Sequence, residues 1–401
     1  MKNLRYLLSV VIALFLTSTI KAVNEGDKTE GFKFQDVMVL PATPVKDQYK
    51  SGTCWSFSGL SFLESEMLRI GKPETDLSEM FVVRYSYSNK ALKDVRMHGH
   101  LNFSAGGAFH DVINVIKKYG IVPEEVYKGL NYGEEKHVHG EMDRVLKSYV
   151  DAVILNKNKK LSSVWHESLD AILDTYLGKV PGAFEYEGEE YTPISFARDY
   201  VGLDLDNYVE ISSYSHHPFY SEFILEVPDN WAWGEVYNVP LNELLEIIDS
   251  SLESGYTVAW AADVSEKGFL TSKKGVAVVP EVDLEDMSDT EIAHWDSLSE
   301  KEQQEELFKL DIPYKEVNVT QEMRQTAFDN YQTTDDHGMH IIGLAKDQDG
   351  EMYYKVKNSW GDYNLYDGYF YVSKPYVRYK TTCIMVNIQS IPQHIRTKLN
   401  L

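Results

Sequence analysis

After an irregular stretch over 23–53, punctuated by Gly26, Gly31, Pro41 and Pro44, the chain reads as helix from 54 to about 120, and from about residue 337 it reads as short strands joined by turns. In the second part, residues 339–344 form an apolar strand, Gln348-Asp349-Gly350 is a hairpin turn because Asp-Gly tolerates positive φ, and residues 352–357 return as a strand. Residues 369–372 and 383–386 predict two more strands. In the first part a helix is expected from Cys54, with Trp55, Phe57, Leu60, Phe62, Leu63, Met67 and Leu68 on its apolar face and Gly71 and Pro73 ending it. A second helix is expected over 108–119, where Val112, Ile113, Val115 and Ile116 make a buried face and Gly120 follows the last turn. A helical front half meeting an antiparallel back half is an α+β pattern.

The middle, roughly 130–320, mixes the two periods. Residues 241–248 predict a helix closed by Gly255, and residues 256–262 a buried strand. Residues 281–306 are heavily acidic and read as a solvated helical face or loop. No internal repeat or low-complexity tract interrupts the chain.

At 401 residues, 43% of them hydrophobic, the chain can bury a substantial core. Its 39 basic and 62 acidic residues sum to −23, which disfavours nucleic acid and anionic membranes as partners, both being polyanions. Two cysteines exclude a disulfide-rich scaffold. At the start, Lys2 and Arg5 precede an apolar run over 6–16, polar Thr17-Ser18-Thr19 and the small residue Ala22. This predicts a secretory signal peptide over 1–22, too short in its apolar part to span a membrane comfortably, and an exported protein, periplasmic or secreted. Removing it takes away Lys2, Arg5 and Lys21 and leaves 36 − 62 = −26.

The chemistry concentrates in Gln48-Tyr49-Lys50-Ser51-Gly52-Thr53-Cys54-Trp55. A cysteine in the first turn of a helix sits among unpaired N–H groups and the positive end of the helix dipole, which favour thiolate. Gln48, six residues upstream, can offer a side-chain amide beside the Cys54 backbone N–H, and together these make an oxyanion hole. Taken alone, Cys54 also fits a buried structural thiol. A nucleophilic thiolate needs a proton-transfer partner. His337 opens the strand that starts the back half, and Asn358 follows 21 residues later in Lys357-Asn358-Ser359-Trp360-Gly361. An Asn amide oxygen can accept from either imidazole nitrogen and fix the tautomer, and Trp360 can shield that bond from water. Other histidines carry less. His98/His100 and His137/His139 are H-x-H pairs without a third ligand and are expected at the surface. His216 and His217 precede Pro218 in a loop. His340 falls on the face of its strand opposite His337, and Cys383 reads as a buried free thiol. Asn102 and Asn318 stand in glycosylation sequons.

These motifs, in this order, resemble the papain-like cysteine peptidases. Leu77-Ser78-Glu79 after the first helix and Ser104-Ala105-Gly106-Gly107 before the second extend the match. The resemblance implies a two-lobed α+β fold, a helical lobe plus an antiparallel barrel-like lobe, with the active site in the cleft between them. It implies Cys54 as nucleophile, His337 as base and acid, Asn358 as orienter and Gln48 as oxyanion donor. Gly106, Gly107 and Trp360 line the substrate cleft, and no metal or organic cofactor is required. Peptides are the implied substrates.

Three departures point to a subgroup. Ser51 and Ser104 stand where many of these enzymes carry a disulfide. Only 31 residues, 23–53, separate the expected cleavage site from Cys54, too few for the usual inhibitory propeptide. The Cys54–His337 separation calls for a large insertion, placed at roughly 130–320 of a single peptidase domain over 23–401. All three resemble the bleomycin hydrolase and aminopeptidase C branch. Lys118-Tyr119-Gly120-Ile121-Val122-Pro123, His337-Gly338-Met339 and Tyr191-Thr192-Pro193-Ile194-Ser195-Phe196 look like motifs of that branch, whose members often form hexamers. In that branch a C-terminal arm carries its carboxylate into the cleft to hold the substrate's α-amino group. If Leu401 does so here, aminopeptidase action follows, and if it does not, an open cleft and endopeptidase action follow. A silent peptide-binding homologue is the competing class. A thiol-redox protein is disfavoured by the lack of C-x-x-C.

Overall fold

The computed structural model describes residues 31–158, 160–282, 287, 289–309 and 315–401. The expected signal peptide lies outside the described residues. Three helices build the front of the molecule: α1 (Cys54–Arg69), α2 (Glu79–Arg96) and α3 (Phe109–Tyr119). Residues Trp55 to Met67 of α1 are all buried, because α2 and α3 cover one side of it and the sheet covers the other. Its serines, Ser56, Ser58, Ser61 and Ser65, are small enough to allow that double packing. The sequence reading did not single out α2. It is capped by Ser78, whose hydroxyl accepts from the Phe81 amide, and it buries Arg84, Lys90 and Asp94, which blur its apolar period.

The sheet is one mixed layer. Its labelled strands are β1 (Gln35–Val39), β2 (Tyr208–Ser212), β3 (Val258–Ala262), β4 (His337–Lys346), β5 (Met352–Lys357), β6 (Tyr369–Ser373) and β7 (Thr381–Asn387). The spatial order runs Glu222–Ile224, Glu235–Asn238, β2, β7, β3, β4, β5, β6, Val276–Ala277, Phe269–Leu270, with β1 pairing the far half of β4. The strands expected over 339–344, 352–357, 369–372 and 383–386 are all present and antiparallel to their labelled neighbours. Two pairs are parallel, β2 with Glu235–Asn238 and β6 with Val276–Ala277, so the sheet is not purely antiparallel. Both involve strands from the middle of the chain, reached through long connections that permit a parallel return.

The alternation along β3 divides the interior. Ala259 and Ala261 face the helical core with Phe62, Phe81 and Phe109, whereas Val258, Trp260 and Ala262 face a second core with Ile341, Val356 and Phe370. The second core is covered by helices α4 (Leu241–Glu253) and α5 (Gln393–Leu399). The acidic stretch forms two short helices, Asp289–Ser297 and Glu300–Leu307, largely exposed where described.

Candidate active site

Cys54 is the first residue of α1, and its Sγ accepts a hydrogen bond from the Gly338 amide at 3.3 Å. That contact joins the helical lobe to β4. The register pairing His337 with Ala262 and His340 with Lys357 puts His337 and Asn358, the residue after β5, at the same end of the sheet. His337 Nε2 lies 2.8 Å from Asn358 Oδ1. The orientation of that amide is fixed twice, since Oδ1 also accepts from the Ser359 N–H at 2.8 Å and Nδ2 donates to Tyr363 Oη at 3.0 Å. An oxygen can only accept, so the imidazole proton belongs on Nε2 and Nδ1 is left unprotonated. Trp360 stacks on the imidazole with ring centroids 4.6 Å apart and is itself held edge-on by Tyr363 and Phe269.

Gln48 is stitched to the same turn. Its backbone N–H donates to Ser359 O at 2.8 Å, and its Oε1 accepts from Ser359 Oγ at 2.7 Å. The carbonyl end of its amide is thereby held, and the Nε2 end is left for the cleft that Gln48 lines. On the opposite wall, Trp55 Nε1 donates to Ala105 O at 3.0 Å and Lys90 Nζ donates to Ser104 O at 2.6 Å, fixing the Ser104–Gly107 segment. Side chains are excluded there. A Cβ on Gly106 would fall 1.9 Å from Asp229 Oδ2, and one on Gly107 would fall 2.8 Å from the Trp55 ring.

Cys54, His337, Gln48, Gly106, Gly107 and Trp360 thus line one cleft of about 310 Å³, with Asn358 buried behind His337. Other residues of the cleft carried no recognised signal: Asp229, Glu210, His110, Asp335 and Asp336. Asp335 and Asp336 directly precede His337, and that adjacency was the one available clue. The electrostatics differ from the sequence expectation. Burial pushes the Cys54 thiol up to about 12 despite the Gly338 N–H, and the Asp335 and Asp229 charges add to the rise. Burial likewise holds His337 down to about 4 against the Asn358 bond. Burial alone would lower His110 too, but the Glu210 carboxylate at 2.9 Å outweighs it and His110 is pushed up to about 9.

The remaining histidines sort clearly. His137 and His139 are buried, not at the surface as expected, and burial lowers them to about 4 and about 3. Their polar sequence neighbours concealed that His139 N–H pairs with the Lys50 carbonyl and draws the segment inward. His98 and His100 are exposed. His216 and His217 lie in a loop, each 3.0 Å from Glu226. His340 is buried on the other side of β4 with Nδ1 2.9 Å from Ser61 Oγ. Cys383 is free and buried, and it also lines the cleft. Two buried carboxylates, Glu64 and Glu79, and the exposed Asp76 surround the Lys46 ammonium, which donates to Glu79 Oε1 at 2.7 Å and pairs with Asp76.

Leu401 is not among the residues lining the cleft. It follows α5, its N–H donates to Arg396 O at 3.0 Å, and its side chain packs on the second core. Lys398 ties α5 to Glu243 of α4 at 2.6 Å.

A family model described as the Peptidase C1-like family matches residues 16–301 and 296–401. The chain belongs to the Peptidase C1-like family. It is 26% identical over 385 residues to an aminopeptidase C of Lactococcus lactis subsp. cremoris, covering 86% of this chain and 81% of the relative. It is 25% identical over 381 residues to an aminopeptidase G of Lactobacillus delbrueckii subsp. lactis, covering 83% and 78%. A yeast protein, cysteine proteinase 1, mitochondrial, is 21% identical over 437 residues, covering 95% and 84%. Among solved structures, PepW from Lactobacillus rhamnosis HN001 superposes with a TM-score of 0.66 at 20% identity, covering 91% of this chain and 84% of that one. Membership makes the chain a cysteine-type peptidase with aminopeptidase C relatives, and the shared fold is papain-like.

Proposed function

We propose that the chain hydrolyses peptide bonds through Cys54, His337 and Asn358, acting on the amino end of peptides. The 2.8 Å bond that leaves His337 Nδ1 unprotonated, in the cleft that holds the Cys54 thiol, carries the reading. Separately, each group resists ionisation. Moving the proton from Sγ to Nδ1 creates both charges together, and in a low dielectric their attraction offsets the two burial costs. The thiolate attacks the scissile carbonyl. The Cys54 N–H, without an intrahelical acceptor at the start of α1, and Gln48 Nε2 hold the oxyanion. His337 then protonates the leaving amine, and in the second half it takes a proton from water as the acyl-enzyme is hydrolysed. The relatives' names, aminopeptidase C and aminopeptidase G, support action at the amino end. With Leu401 outside the cleft, that action requires another group to hold the amino end, failing which the open cleft acts as an endopeptidase.

Cys54→Ala is expected to abolish release of coumarin from aminoacyl-coumarin substrates while the far-ultraviolet circular dichroism is unchanged. Undiminished turnover by that variant sinks the mechanism. We also propose export of the chain by residues 1–22. Sequencing the amino end of the protein recovered from its native cells is expected to read Val23 first, and an intact Met1 in the recovered protein overturns it.

A further inference from the structure

A loop over 225–234 joins strands Glu222–Ile224 and Glu235–Asn238 and forms part of the cleft wall. Asn230 pins it from inside. Its Nδ2 donates to Leu225 O and Gly234 O, both at 2.9 Å, and its Oδ1 accepts from the Gly234 N–H at 2.7 Å. From outside, Lys93 of α2 sits 3.7 Å over the Trp233 ring and donates to Ala232 O at 2.7 Å. The clamped loop carries Asp229 into the cleft, against Gly106.

Asp229 Oδ1 accepts from Asn102 Nδ2 at 2.9 Å, and Oδ2 occupies the space above the Gly106 Cα. Asp335 lines the same cleft and accepts from Thr382 Oγ1 at 3.2 Å. Among the described residues no ion pair includes Asp229 or Asp335. His110 pairs with Glu210, while Lys90 donates to the carbonyls of Ser104 and Gly106 and its charge acts on Asp229 against the rise that burial causes. Burial first, and then the Asp229 charge, push Asp335 up to about 7, so the two carboxylates act on each other as well as on Cys54.

The cavity therefore holds two carboxylates that, among the described residues, make no direct ion pair, in the cleft that also holds the Cys54 thiol. A second feature marks it as a ligand site: Gln48 is 7% exposed, and its Nε2 has no described partner. Asp229 and Asp335 line the same cleft as Gln48 and Cys54 and lie near enough for their charges to act on the thiol, so an ammonium next to the scissile carbonyl would meet their field. Leu401, whose carboxylate would be the other candidate anchor, is not in the cleft.

We infer that Asp229, with Asp335 as its partner in the cleft, binds the α-ammonium group of the substrate and thereby selects peptides with a free amino end. This rests on the reading of Cys54 as nucleophile. An ammonium can also come from a lysine side chain, so the test separates the two sources.

The probes are Leu-Gly-Gly, its N-acetyl form and N-acetyl-Lys-Gly-Gly, titrated calorimetrically into the full chain carrying Cys54→Ala. The free peptide is expected to bind at least about tenfold more tightly than its acetylated form, as charge pairing in a partly desolvated site requires. Adding Asp229→Asn, which keeps the volume and the acceptor for Asn102, is expected to bring that ratio to within about twofold. With Cys54 present, the same change is expected to lower the ratio of kcat/KM for free over acetylated aminoacyl-coumarin by about tenfold, mainly through KM. A ratio untouched by Asp229→Asn overturns the inference. Tightest binding of N-acetyl-Lys-Gly-Gly overturns it in favour of a side-chain site. Failure of the nucleophile assignment would appear differently, as turnover by Cys54→Ala, and would leave the binding ratios standing.

Discussion

At His337 a single hydrogen bond decides which nitrogen carries the proton. Asn358 Oδ1 accepts from both His337 Nε2 and the Ser359 N–H, so the tautomer follows from the backbone turn. Removing the imidazole removes the proton carrier, whereas removing the amide leaves the carrier and loosens its orientation. His337→Ala is expected to cost about 10²–10⁴ in kcat, and Asn358→Ala less, measured on the same substrate. Equal and total loss in a folded Asn358→Ala variant would count against an orienting role. At this scale the sequence brought Cys54, Gln48, His337 and Asn358 forward as candidates, and the structure places Cys54, Gln48 and His337 on one cleft with Asn358 bonded to His337. It was not legible for Asp229, because an Asp in a loop has no period and gains meaning only from Gly106 opposite. His137 and His139 were misplaced for a related reason: burial is a property of the surroundings in space, and their neighbours in sequence are polar.

Between elements, the contact of α1 with β4 brings the Cys54 thiol to the amide of Gly338, the residue after His337. Gly338 allows it. A Cβ there would fall 2.6 Å from Ser58 Oγ and 3.3 Å from the Trp55 Cα, so α1 would have to move away from the strand. Gly338→Ala is expected to lower kcat/KM by about tenfold or more, since sub-ångström misplacement of reacting groups is costly, while the chain still folds. Replacing Ser58 by Gly in the same chain removes the obstructing hydroxyl and is expected to recover part of the loss. No recovery in the double variant would mean that another contact sets the α1–β4 spacing. Helix α3 could be read from periodicity because it buries one clear face, and α1 and the strands β4 to β7 from runs rich in apolar residues, although α1 is buried all round. Helix α2 could not, because its charged residues turn inward to partners on other elements, Arg84 to Asp170 and Asp174 among them.

Across the whole molecule, buried carboxylates make stability depend on pH. Glu316 joins the middle of the chain to β6 by accepting from the Val279 N–H at 2.7 Å and Ser373 Oγ at 2.6 Å. Burial raises it from 4.5 to about 7 against those bonds. The folded state therefore keeps this proton to higher pH than the unfolded state does. Its contribution is fully present below about 4.5 and is lost as pH rises through about 7. Glu316→Gln keeps an acceptor oxygen and removes the charge. The variant is expected to gain about 1–3 kcal/mol relative to the parent between pH 5 and pH 8, followed by urea denaturation at each pH. A constant difference across that range would remove Glu316 as the source.

The sequence by itself determined the α+β class, the order of the catalytic candidates and the helix and strand that carry them. Those features depend on local period, turn chemistry and residue type, which act over a few neighbours. Only the tertiary structure decided how the cleft is closed and charged. The path of Leu401 away from the cleft, the placing of Asp229 on Gly106 and the desolvation that holds Cys54 and His337 neutral all arise from segments far apart in the chain. Packing and burial are sums over neighbours in space, and no window along the chain contains them.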